Sequence, residues 1–83
     1  MDSVQLLAEA MDIARRLGFE IREELIGEGR GAACRIRGRK CLFLDSQLGP
    51  RERLERVLTA IRGDSGLPLV TVRPALKHLL AQP

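Results

Sequence analysis

Four groups of side chains in this sequence could do chemistry: two cysteines, one histidine, a run of cations and a run of glycines. Cys34 and Cys41 would make a redox pair if the fold brought them together, and otherwise two small apolar residues for a core poor in aromatics. A metal site needs further ligands at short spacing, and the chain has only His78 to add. Ser3, Ser46, Ser65, Thr59 and Thr71 have the same single imidazole as a base, and His78 falls in a terminal segment beside Leu79 and Leu80. Glu23 and Glu24 are adjacent, so on a strand they point to opposite faces and cannot act as a carboxylate pair. Asp45 closes an apolar run and reads as a strand-end residue. Gly27-Glu28-Gly29-Arg30-Gly31 leads into no helix, lacks a terminal G-K-[ST] and carries an acid, so it reads better as a flexible hairpin connection than as a phosphate loop. The sequence therefore predicts no catalytic residue, no metal and no cofactor; the expectation is a protein that is not an enzyme.

The cations remain. Arg30, Arg35, Arg37, Arg39 and Lys40 fall within eleven positions with no acid among them. The chain has fourteen Lys and Arg against eleven Asp and Glu, so without these five it would be slightly acidic. The basicity is local, and those five residues are the expected binding surface. Twelve of the fourteen cations are arginine, a bias that a GC-rich genome would produce without any functional demand.

Elements must hold these residues in place. Residues 3–17 carry Leu6, Ala10, Ile13, Ala14 and Leu17 on one helical face, with Asp2 and Gln5 as a capping pair and Gly18 as a stop. Residues 19–26 alternate Phe19, Ile21 and Leu25 with charged residues, the pattern of a half-buried strand that Glu23 interrupts. Residues 32–37 and 40–45 read as a hairpin around Gly38-Arg39, which pairs Ile36 with Cys41 and Cys34 with Phe43. One face would carry Ala32, Cys34, Ile36, Cys41 and Phe43, and the other Ala33, Arg35, Arg37, Leu42 and Leu44. Pro50 opens a second helix to Arg62, striped by Leu54, Val57, Leu58 and Ile61. Leu69–Val72 reads as extended, and Pro74 opens a last short helix.

The expected fold is one α+β domain over residues 1–83. It is a three-stranded antiparallel meander in α-β-β-β-α order with helices on one face, followed by a short extended segment and a helix. Eighty-three residues bury only roughly 60–65% of the unfolded surface, so association would help. Leu42 and Leu44 on the uncovered face, with Leu76, Leu79 and Leu80 of the last helix, are the expected self-association surface of a homodimer. The first apolar run carries Glu9, Asp12, Arg15 and Arg16, so no membrane span or leader is expected, and two cysteines without a disulfide framework fit the cytoplasm.

The element order resembles that of the double-stranded-RNA-binding domain, although the second helix opens with Arg51-Glu52-Arg53 where that family has a lysine clamp. From Arg30 to Leu80 the chain also resembles a group of short uncharacterised bacterial α/β proteins. The resemblance rests on Ala33-Cys34-Arg35-Ile36-Arg37-Gly38 after a glycine-rich entry, Leu42-Phe43-Leu44-Asp45, the helix Glu52 to Ile61, and Val72-Arg73-Pro74-Ala75-Leu76. It implies a shared fold unit and no activity. More remotely, Leu42–Ile61 is similar to the core of the HExxH zinc metallopeptidases of phage-immunity and radiation-response regulators. Leu58, Thr59 and Arg62 stand near the ligand positions, so that resemblance implies a lost metal and no peptidase activity. The functional expectation is a non-catalytic protein-interaction or regulatory module that self-associates and binds an unknown protein partner. The alternative is RNA or DNA binding through the arginine hairpin.

Overall fold

The computed structural model describes residues 2–25 and 31–82. Helix α1 (Ser3–Arg16) starts at Asp2, whose Oδ1 accepts the Gln5 N–H at 2.8 Å. It ends where Gly18, at φ +96°, turns the chain into a conformation open to glycine. Strands β1 (Glu20–Glu24), β2 (Gly31–Ile36) and β3 (Arg39–Asp45) follow. Helix α2 (Pro50–Arg62) has Pro50 in its first turn, and helix α3 (Pro74–Leu80) likewise starts on a proline. Between them Leu67–Leu69 forms a single 3₁₀ turn, which takes Leu69 out of the extended segment expected at Leu69–Val72; Val70 after it is extended, and residues 70–72 pair in no strand. Pro68 within the turn has no N–H to give a sheet, and Leu69 is exposed. The described residues thus form three α-helices and a three-stranded sheet, and none of the helices is long and apolar enough to cross a membrane.

The sheet is mixed, which corrects the expected meander. Its order is β1-β3-β2, with β1 parallel to β3 and β2 antiparallel to it. Composition explains the choice. β3 holds Leu42-Phe43-Leu44 and takes the centre, whereas β1 has one apolar residue, Ile21, and suits an edge. Arg53 of α2 fixes the turn after β3. Its Nε donates to Leu48 O at 2.8 Å, and its Nη1 pairs with Glu23 of β1 at 3.1 Å.

The hairpin turns on Arg37-Gly38, one residue earlier than the sequence reading. Both residues have positive φ, +52° and +81°, as a two-residue type I′ loop requires. The register moves accordingly: Ile36 faces Arg39, Arg35 faces Lys40, Cys34 faces Cys41 and Ala33 faces Leu42. The pairing moves by two residues, so each strand keeps the faces expected of it; the helices cover the Leu42–Leu44 face in place of the cysteine face. Leu42 and Leu44, expected on an open face, are 1% and 0% exposed and pack with Leu7, Ala10, Ile13 and Ala14 of α1 and Leu54, Val57, Leu58 and Ile61 of α2. Leu76 joins them at 1%, and Leu79 and Leu80 are half-buried against the same core. Three of the five leucines expected at a dimer surface are therefore interior. Leu25, expected to be buried, is exposed.

Candidate functional site

The register divides the cations that the sequence grouped. Residues directly opposite in the ladder share a face, so Arg35 and Lys40 lie on the helix side of the sheet, and Arg39 lies with Ile36 on the other. Arg37 occupies the turn. Arg30 and the glycine run before it lie outside the described residues. Lys40 is not a free surface cation. Its Nζ donates to Leu17 O at 2.8 Å and to Asp64 Oδ1 at 2.7 Å, and stands 5.5 Å from the centre of the Phe19 ring. It ties β3 to the end of α1 and to the loop after α2. Among the described residues, Arg35, Arg37 and Arg39 form no ion pair.

Asp64 is the acid that this arrangement depends on. Its Oδ2 accepts the Gly66 N–H at 2.8 Å while Oδ1 holds Lys40. The hydrogen bond from Lys40, and then that from Gly66, keep its carboxyl below the usual carboxylate range, against the opposing pull of burial. Sequence reading missed Asp64, because the pairing spans 24 positions and no local pattern announces it.

Beside this pair a cleft of about 520 Å³ opens between the outer edge of β2 and the last turns of α2. Phe19, Ala33, Leu42 and Ala60 give it an apolar lining. Arg35 and Arg56 supply positive charge at its wall, and Lys40 and Asp64 close one end. The α2 positions that reach it are Arg56, Thr59 and Ala60, so neither an imidazole nor a carboxylate enters from the helix. The Thr59 hydroxyl donates back to Glu55 O at 2.9 Å. His78 is exposed on α3, with its Nε2 3.4 Å from the Gln82 side chain. Asp45 is buried at the end of β3, where its Oδ1 accepts the Gln47 N–H at 3.0 Å and shapes the turn. Among the described residues no three of His, Cys, Asp or Glu converge as metal ligands.

No family model, curated protein or solved structure matches the chain. What the cleft can do must come from its own groups.

The backbone supplies the second half of the site. Among the described residues β2 has one neighbour, β3, and no strand pairs with its other edge. Ile36 and Arg39 flank a two-residue loop and form a hydrogen-bonded pair; the alternation of an antiparallel ladder then makes Cys34–Cys41 the next such pair. Ala33 and Arg35 fall between these pairs, so their N–H and C=O groups point away from β3 along the open edge. Their side chains line the cleft. An apolar, positively charged cleft and an unused row of peptide groups therefore lie side by side.

Proposed function

We propose that this protein is a non-catalytic interaction module that captures an extended, acidic segment of a partner protein along the outer edge of β2. The observation that carries this reading is the unpaired edge at Ala33 and Arg35 beside an apolar cleft bordered by arginine. A segment added there gains main-chain hydrogen bonds from the edge, and its alternate side chains enter the cleft. Apolar side chains meet Phe19, Ala33 and Ala60, and acidic ones meet Arg35. Self-association through Leu42, Leu44, Leu76, Leu79 and Leu80 is not part of this reading, because their burial leaves little of them to share.

Arg37 adds support. A side chain in the left-handed region costs roughly 1–2 kcal/mol, and asparagine or glycine would relieve it. Arg37→Asn is accordingly expected to stabilise the domain by about 0.5–1 kcal/mol, seen as a higher urea midpoint with an unchanged slope. The same substitution should weaken the acidic ligand, since it removes a cation next to the edge. A stabilised variant that binds undiminished would show that Arg37 has no part in recognition.

The test of the whole reading is selection from a displayed library of random peptides. Enrichment of acidic, β-branched sequences is expected. Ala33→Pro should abolish it, since proline has no N–H to offer at that edge, while leaving the fold intact because edge strands tolerate proline there. Arg35→Glu should reverse the charge preference. Enrichment indifferent to both substitutions would overturn the docking site. Retention of RNA or DNA instead, at about 150 mM salt and dependent on Arg35, Arg37 and Arg39, would favour nucleic acid.

A further inference from the structure

The observed register sets Cys34 directly across from Cys41. Residues opposite one another in a hydrogen-bonded pair of an antiparallel ladder have Cα atoms about 5.5 Å apart. That separation lies within the roughly 4.4–6.8 Å that a disulfide bridges. Ladder partners also project from the same face, here the face away from the helices, and both cysteines are free thiols. The two differ in access: Cys34 is exposed, whereas Cys41 is 4% exposed beside Glu20, with its Sγ 3.9 Å from Glu20 Oε2.

We infer that Cys34 and Cys41 form a reversible thiol–disulfide pair, entered by a small disulfide at Cys34 and closed by Cys41. The order follows from access. Cys34 loses its proton to water, and its thiolate attacks one sulfur of a low-molecular-weight disulfide. The reagent's S–S bond breaks, one thiolate leaves, and a mixed disulfide forms on Cys34. The Cys41 thiolate, its proton also lost to water, then attacks Cys34 Sγ and expels the second thiolate. Two electrons have passed from the protein dithiol to the reagent, which departs as two thiols. A small dithiol reverses both steps. The resulting bond joins β2 to β3 across the hairpin, beneath the strand whose outer edge is open. Of the residues that line the cleft it uses Cys34 alone, and its chemistry needs no ligand on the β2 edge, so the inference stands whether or not that edge binds a peptide.

The chromogenic reagent 5,5′-dithiobis(2-nitrobenzoate) is a suitable probe, with the folded full chain at low concentration. The wild type is expected to release both reagent thiolates and to finish as a single chain with no adduct, lighter by two hydrogens. Peptide mapping should place the link between Cys34 and Cys41. Cys41→Ala should stop at the mixed disulfide, releasing one thiolate and keeping the other on Cys34; Cys41→Ser serves if the alanine variant does not fold. Cys34→Ala should react slowly until denaturant exposes Cys41. A wild-type chain that retains the adduct, or that is captured as a disulfide between two chains, would overturn the pair.

Discussion

Leu44→Asp is expected to leave the chain unfolded in water. Leu44 is 0% exposed between α1 and α2, and the substitution puts an uncompensated carboxylate in an aliphatic core. The penalty for an unpaired buried charge, several kcal/mol, approaches the whole stability of a domain this size, roughly 4–12 kcal/mol. Leu44→Ala is the graded version. It should cost about 2–5 kcal/mol, depending on how far the neighbours collapse into the space. The pair of variants decides which face of the sheet the helices cover. With the helices on the Cys34–Cys41 face, Leu44 would stand on an open face, and aspartate there would keep the monomer folded while breaking any dimer. With the helices on the Leu42–Leu44 face the domain itself is lost. Circular dichroism and a urea titration of Leu44→Ala distinguish them directly, and a folded, soluble Leu44→Asp would refute the observed packing.

That choice of face also marks where the sequence was legible and where it was not. The helices could be read from periodicity and caps: Asp2, Gly18 and Pro50 each do locally what their residue type does anywhere. The strands could be located but not arranged. Pairing is non-local, and the alternation of β2 points the wrong way: Cys34 and Ile36, its more apolar face, lie away from the helices, whereas Arg35 lies on the helix side. Gly38 suits either position of a tight turn, the first in a type II′ loop or the second in a type I′ loop. Choosing the second requires Arg37 to accept a positive φ, which residue preference argues against. Both turns leave Leu42 and Leu44 on one face of β3, so the alternation of the strands does not choose between them. The parallel pairing of β1 was hidden for a similar reason. A chain that runs β1, β2, β3 suggests a meander until the central place goes to the most apolar strand. The cleft was hidden because the helices cover the face that carries Ala33 and Arg35, the one expected to stay open.

Lys40 should behave as a structural residue, the second large effect. Lys40→Met keeps most of the apolar stem over Phe19 but removes the ammonium from Leu17 O and Asp64. Asp64 is then left with its side chain 8% exposed and without its cation. Breaking a fully buried pair costs about 3–5 kcal/mol, but the Lys40 side chain is 27% exposed and solvent screens part of the loss, so about 2–3 kcal/mol is the expected value. The acid dependence gives an independent check with a definite sign. The carboxyl of Asp64 is held below its ordinary value in the fold, so its contribution is complete above the unfolded pKa of roughly 3.9 and disappears as pH falls through the lower folded value. The urea midpoint of the wild type should therefore drop below about pH 4 more steeply than that of Lys40→Met, in which the main cause of the depression is gone. Asp64→Asn should flatten the same limb from the other side of the pair. If Lys40→Met left both the midpoint and its acid limb unchanged while weakening a ligand, Lys40 would belong with Arg35 and Arg37 on a binding surface. With the ammonium held at 2.7 and 2.8 Å by two buried acceptors, the loss is expected in stability.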